Sequence, residues 1–209
     1  MGPSRVIRRK VDRLLKGVQL AFKDQARKSG SRRRRCLREK DMQDYSIYAV
    51  PLGGGLLGIA PLPGRGGRAS EDLKHLHEWN PKVVISLTTS AEHNAHGVPD
   101  LGTDLQSRGA RWVHFPVPDM SVPSPDQSRA WSEVERLSLS ILRRGDRVLV
   151  HCLGGCGRSG MVALRLMVRE GEAPDAALDR LRSVRPCAVE TNAQWDWATD
   201  ATSLSNKER

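Results

Sequence analysis

The chain has 209 residues, 38% of them hydrophobic and 4% aromatic, and a net charge of +10. That length suits one domain with an extension; no apolar run approaches the ~18 residues of a membrane span, and the basic N-terminus lacks the apolar stretch of about 7–15 residues of a secretory signal. Its four cysteines (Cys36, Cys152, Cys156, Cys187) are too sparse for a secreted disulfide scaffold and show no zinc-ligand spacing, so the expectation is a cytoplasmic protein with reduced thiols and no metal or other cofactor.

The charge is unevenly spread. Residues 1–41 hold 15 Lys and Arg against 4 Asp and Glu, a net of +11, while residues 42–209 hold 19 against 20 and are net −1. Residues 1–41 therefore read as a basic, disordered extension. Val11, Leu14, Leu15, Val18 and Leu20 could line one face of a short helix there, and Arg32 to Arg35 form a solvated run. Three readings stay open: an inert tail, an arm for nucleic acid or an anionic membrane surface, or an upstream extension of a protein that starts at Met42.

From Tyr45 the pattern becomes that of a folded domain. Ile47–Leu52 and Leu56–Ile59 read as short strands separated by Gly53-Gly54-Gly55. Ser70 is placed to cap a helix running to Trp79, with Glu71 and Asp72 in its first turn. Lys82–Leu87 (KVVISL) reads as a buried strand, Asp100–Arg108 as a helix, and Arg111–Val117 (RWVHFPV) as the next strand. A longer helix over Pro125–Arg144 carries an apolar stripe of Ala130, Val134, Leu137 and Ile141, and Gly145 ends it. Arg147–His151 is a further buried strand. Ser159–Glu170 is apolar nearly all round and reads as a central helix; Pro174–Arg185 and Asn192–Ser203 close the series. Strands alternating with helices indicate an α/β layered domain over 42–209.

The chemistry concentrates in HCLGGCGRSG, His151–Gly160, which leaves a strand and opens a helix. A glycine-rich loop in that setting turns free backbone N–H groups and the positive end of the helix dipole toward an anion. Leu153, Gly154, Gly155, Cys156 and Gly157 would wrap a phosphate, and Arg158 would clamp two of its oxygens with a planar fork that Lys cannot match. Cys152 sits where this field favours the thiolate, the nucleophilic form. Ser159 can donate to the sulfur when it leaves, and His151 is expected to support the loop and the thiolate field.

Transfer of a phosphoryl group to sulfur needs a proton for the departing oxygen. Asp119, in the proline-bounded FPVPDMSVPS loop, is the candidate; the rival, Asp126, reads better as a first-turn helix residue. Such a loop can close over substrate and exclude water. The second step needs a positioned water, and Gln194 in ETNAQWDW is the candidate to aim it, with Glu190 and Thr191 shaping the same wall.

At these residues the chain resembles the cysteine-dependent phosphatases of the protein-tyrosine and dual-specificity type. HCLGGCGRSG matches their signature of Cys, five residues, Arg and then Ser or Thr. PVPDMSVPSPD resembles their acid loop, particularly that of the cyclin-dependent-kinase-inhibitor-associated phosphatases, as do LGIAPLPG at 57–64, HGVPDLGTDLQ at 96–106 and RPCAVETNAQW at 185–195. The resemblance runs from Tyr45 to Ser203. It implies a central, mostly parallel sheet flanked by helices, and hydrolysis of phosphotyrosine in proteins, with phosphoserine and phosphothreonine as further substrates. It also implies a phosphocysteine intermediate without metal and a phosphorylated protein as partner; the expectation for assembly, set apart from the resemblance, is a monomer. Two residues depart from the pattern: Cys156 lies inside the loop, and Cys187 takes a place often held by Gly. They are either backdoor thiols that protect an oxidised Cys152 by forming a disulfide with it, or passengers. Rival substrates are a phosphoinositide, against which stands the lack of Lys in Leu153–Gly157, and an RNA 5′-phosphate, suggested by the basic N-terminus. A catalytically silent binding module is disfavoured because Cys152, Arg158 and Asp119 are all present.

Overall fold

The computed structural model describes residues 45–200. The expected basic extension at 1–41 and the end of the last expected helix, beyond 200, lie outside them. In chain order the described elements are β1 (Tyr48–Leu52), β2 (Gly55–Pro61), α1 (Ala69–Trp79), β3 (Val83–Ser86), α2 (Ser90–Ala95), α3 (Leu101–Ser107), β4 (Arg111–His114), α4 (Ser128–Arg143), β5 (Arg147–Cys152), α5 (Gly157–Arg169), α6 (Pro174–Val184) and α7 (Asn192–Thr199).

The strands form one sheet in the order β1-β2-β5-β3-β4. β1 and β2 pair antiparallel across Gly53-Gly54, whose φ values of 61° and 99° suit a tight hairpin that side chains would strain. Every other pairing is parallel. The sheet is covered on both faces, which explains strands that are apolar throughout rather than alternating. Val148 and Val150 of β5, with Val83 and Ile85 of β3, enter a core shared with α4, α5, α6 and α7. Leu149 and Val84 point the other way, into a core with Leu76 of α1 and Leu101 and Leu105 of α3. As expected, α5 is the central helix: Gly157 through Met167 are all buried.

Four differences from the sequence reading have identifiable causes. The helix after β2 starts at Ala69 with Arg68 at its cap, so Ser70 lies inside the first turn and caps nothing. β4 ends at His114 because Pro116 and Pro118 lack N–H groups; only Phe115 and Val117 continue donating, to Ser86 and Leu87 carbonyls. The segment Pro125–Gln127 is a 3-10 turn, after which α4 buries Trp131, Val134, Ser138, Leu139 and Leu142. Its buried face is therefore turned toward Trp131, whose ring packs edge-on against Phe115 and Trp197, and Ala130 is exposed. The fourth is α2, a short helix absent from the sequence reading.

Candidate active site

β5, the middle strand, delivers His151 and Cys152 to its carboxyl end, and the loop that follows turns directly into α5. Open parallel sheets bind ligands at such strand ends. Gly155 has a φ of +65°, and a Cβ there would lie 2.6 Å from the backbone of Ala60 and Pro61, so only glycine lets the loop bed against β2. On the other wall, a Cβ on Gly157 would meet the Glu190 carboxylate at 2.3 Å. Beneath the loop, Arg185 donates from Nε to the Gly155 carbonyl at 2.9 Å and from Nη2 to the Gly154 carbonyl at 2.8 Å. With those carbonyls engaged from behind, the loop is held in one shape.

Cys152 is buried, and its Sγ lies 3.3 Å from Ser159 Oγ. When the sulfur is ionised, Ser159 must be the donor. Arg158 is 1% exposed, an unusual position for a cation, and the two terminal nitrogens of its guanidinium meet acceptors. Nη2 donates to Glu92 Oε1 at 2.8 Å; Nη1 donates to Glu92 Oε2 at 3.2 Å and to the Val117 carbonyl at 3.1 Å. This two-pronged pairing fixes the plane of the fork. Burial opposes the charge on Arg158, but the Glu92 bond and the nearby charges of Cys152, Glu92 and Asp119 outweigh it and keep the group protonated. Burial likewise opposes ionisation of Glu92, and hydrogen bonds from Arg158 and Thr89 hold its carboxyl below the usual range.

Glu92 was not anticipated. It sits in α2, where Thr89 Oγ1 accepts from the Glu92 N–H and the Glu92 carboxylate accepts from the Thr89 N–H, a reciprocal cap. The sequence did hold its trace, TSAE at 89–92, a capping-box pattern that sequence reading alone links to a helix start and not to Arg158. Arg185 and Ser86 were missed too, since nothing local announces a contact across the fold.

His151 corrects the expected field. Its Nε2 lies 2.6 Å from Ser86 Oγ, which also accepts from Trp112 Nε1 at 2.7 Å. Burial, then the nearby charges of His93 and Arg158, push its pKa down to about 3. His151 is therefore neutral at ordinary pH and bonds across to Ser86 of β3, without adding positive charge beside Cys152.

Asp119 occupies the tip of the loop between β4 and α4. Phe115, Val117 and Pro123 are buried and root that loop, while Asp119 is 69% exposed and its Oδ1 lies 3.0 Å from Arg158 Nη2. Met120, next to it, takes a left-handed φ of 57° and is exposed. Asp126 falls in the 3-10 turn, as expected of a helix-start residue. Gln194 is fully buried in the first turn of α7; its Oε1 accepts from the Glu190 N–H at 2.9 Å, and its Nε2 sits close to Gly157. Thr191 caps α7 by accepting from the Gln194 N–H. The structure thus gathers Cys152, Arg158, Ser159, Asp119 and Gln194 about one loop. Among the described residues no cluster of three or more His, Cys, Asp or Glu is arranged to hold a metal.

Cys156 and Cys187 are joined to each other by a disulfide, with Cα atoms 5.2 Å apart, and Cys152 is the free cysteine of the described residues. This overturns the reading of either as a backdoor thiol ready for Cys152, and the expectation that all the thiols are reduced. The cause is geometric: the turn after α6 lays Cys187 against the loop that Arg185 grips.

Residues 59–172, more than half of the chain, match the family described as "Polymorphic toxin system, DSP-PTPase phosphatase". Cyclin-dependent kinase inhibitor 3 of Rattus norvegicus is 32% identical over 149 residues, 68% of this chain and 69% of that protein. The human receptor-type tyrosine-protein phosphatase H is 34% identical over 100 residues, 44% of this chain and 9% of that protein. Among solved structures, kinase associated phosphatase with a serine in place of its catalytic-site cysteine shares the fold, with a TM-score of 0.68 at 24% identity, over 79% of this chain and 98% of that one. Tk-PTP in its active form reaches a TM-score of 0.57 at 30% identity, over 72% of this chain and 92% of that one. The loop around Cys152 and these likenesses agree: the chain belongs to the dual-specificity and protein-tyrosine phosphatases, enzymes that hydrolyse phosphomonoesters through a cysteine.

Proposed function

We propose that Cys152 is the nucleophile, Arg158 the phosphate clamp and Asp119 the proton donor in hydrolysis of phosphotyrosine in proteins, with phosphoserine and phosphothreonine as further substrates. The observation that carries this reading is the buried Arg158 guanidinium, held by Glu92 and within reach of Asp119, on the same loop as Cys152.

In the first step the Cys152 thiolate attacks phosphorus, the bond to the substrate oxygen breaks, and Asp119 gives its proton to that oxygen. The amides of Leu153 to Gly157 and the Arg158 fork hold the three equatorial oxygens as their charge redistributes. In the second step water attacks the phosphocysteine, Gln194 orients it, and Asp119 takes its proton. The sulfur leaves as thiolate with a hydrogen bond from Ser159, and inorganic phosphate is released. Nothing in this sequence of events calls for a metal.

No helix among the described residues is long and apolar enough to cross a membrane. The readings for location and assembly are cytoplasmic and a monomer; the need of Cys152 for a reduced thiol favours the first, and the Cys156–Cys187 disulfide stands against it. The basic residues 1–41 are proposed to give weak electrostatic contact with nucleic acid or an anionic surface.

The test is phosphate release from p-nitrophenyl phosphate in EDTA by wild type, Cys152→Ser and Asp119→Ala, followed by a phosphopeptide panel. Turnover in EDTA that Cys152→Ser abolishes, and that Asp119→Ala slows strongly on the phosphopeptides and less on p-nitrophenyl phosphate, supports the roles; turnover unaffected by Cys152→Ser refutes them.

A further inference from the structure

The disulfide between Cys156 and Cys187 has no part in the steps above, yet one of its sulfurs belongs to the phosphate loop. Cys156 stands at the cap of α5, between Gly155 and Gly157, and Cys187 lies 31 residues later in the segment that leads to Glu190 and Gln194. The bond therefore ties the loop to the opposite wall of the site. That wall is close packed against α5: a Cβ on Gly160 would lie 2.7 Å from the Val189 nitrogen.

We infer that Cys156–Cys187 is a thiol–disulfide exchange site for a dithiol reductant, and that its reduction weakens phosphate binding by the loop; the functional consequence rests on the phosphatase reading above. Three observations carry it. Cys187 is exposed and Cys156 half-buried, so an incoming thiolate reaches Cys187 more readily. Attack there expels Cys156 as the leaving thiolate, and Arg185 Nη2 already lies 3.4 Å from Cys156 Sγ, at the helix start, to receive the charge. Cys152 is not a member of the bond, so the switch leaves the nucleophile in place.

The exchange balances. A thiolate of the reductant attacks Cys187 Sγ, forms a mixed disulfide and breaks the bond to Cys156, which departs as thiolate. The second thiol of the reductant then attacks its own sulfur in the mixed disulfide and frees Cys187. The reductant loses two electrons and two protons and ends as its own disulfide, while the protein gains the Cys187 thiol and the Cys156 thiolate and one proton passes to solvent. In that state the Cys156 thiolate adds negative charge to a loop meant for an oxyanion. It also competes for Arg185, whose Nη2 otherwise holds the Gly154 carbonyl.

The experiment uses the full chain as Cys152→Ser, which retains the loop without its reactive thiol. Peptide mapping after thiol alkylation reports the 156–187 bond in buffers with and without dithiothreitol, and calorimetry reports the affinity for inorganic phosphate in each. The expected result is a mapped disulfide whose reduction weakens phosphate binding on the order of tenfold, the scale of one added charge near a bound anion. In the same background Cys187→Ser should bind weakly in both buffers. Absence of the disulfide peptide in the oxidised protein, or equal phosphate affinity with the bond shown to be reduced, overturns the proposal. Wild-type turnover is measured separately. A switch in phosphate affinity without any turnover would support the redox site and sink the phosphatase reading.

Discussion

Two loops meet at the Arg158 guanidinium, and they are built in opposite ways. The phosphate loop is buried, bedded on β2 through Gly155, gripped from below by Arg185 and bonded to the far wall through Cys187. The acid loop is rooted at Phe115, Val117 and Pro123, but its tip, Asp119 and Met120, stands in solvent. A site for a fixed tetrahedral anion needs donors that do not reorganise, whereas a proton donor must admit and release substrate. The contrast in burial suits the roles proposed for the two loops.

The comparison can be broken first at the clamp. Arg158→Lys should lower kcat/KM by about a thousandfold, because a point charge replaces a fork already aligned by Glu92. Recovery of near wild-type turnover would show that the fork geometry is unimportant. Asp119→Asn should cost about a hundredfold with a phenyl phosphate and much less with p-nitrophenyl phosphate, whose leaving group hardly needs a proton. Because Asp119 is exposed, its thermal midpoint should stay within about 1 °C of wild type; equal losses on both substrates would speak against a proton donor.

Glu92→Ala probes the hidden support. It leaves the buried Arg158 short of its main partner, so it should cost about 3 kcal/mol of stability, with roughly tenfold in kcat/KM. The change falls on stability more than on turnover, the reverse of Asp119→Asn, and chemical denaturation beside kinetics separates the two.

The mildest probe is pH. His151 is about 3 when folded and near its ordinary 6.5 when unfolded, so between those values the unfolded chain binds a proton that the folded chain refuses. Stability from this group is complete above about pH 6.5 and falls as pH drops, by up to about 1.4 kcal/mol per pH unit per withheld proton. His93, lowered chiefly by burial, acts in the same direction. Glu92, held below the usual carboxylate range, adds a loss at lower pH as it is protonated. The thermal midpoint should decline from pH 7 to pH 4, and His151→Gln should flatten that decline; an unchanged slope would remove His151 as its source.

What was legible in the sequence was what lies close together in it. The strand, loop and helix around Cys152 could be read because their signal fits within HCLGGCGRSG, and the acid loop because its prolines and Asp119 are neighbours. The supports were not legible. Glu92 meets Arg158 across 66 residues and Arg185 meets Gly155 across 30, and a pairing over that distance leaves no mark in the local pattern. The neutrality of His151 depends on complete burial, which a tripeptide context does not reveal. The disulfide was missed for the same reason: spacing shows two cysteines, and only the fold brings them within bonding distance.

The position of β5 has a consequence for how the protein comes into being. The last strand among the described residues is the middle strand of the sheet, lying between β2 and β3, which do not pair with each other. A chain growing from its N-terminus therefore cannot close the sheet until Arg147–Cys152 has been made, and the contacts it then forms span long stretches of sequence. Insertion of that strand and assembly of the phosphate loop are one event. A partly made chain holds Asp119 and Glu92 but not Cys152, so the proposed site is complete only with the finished core.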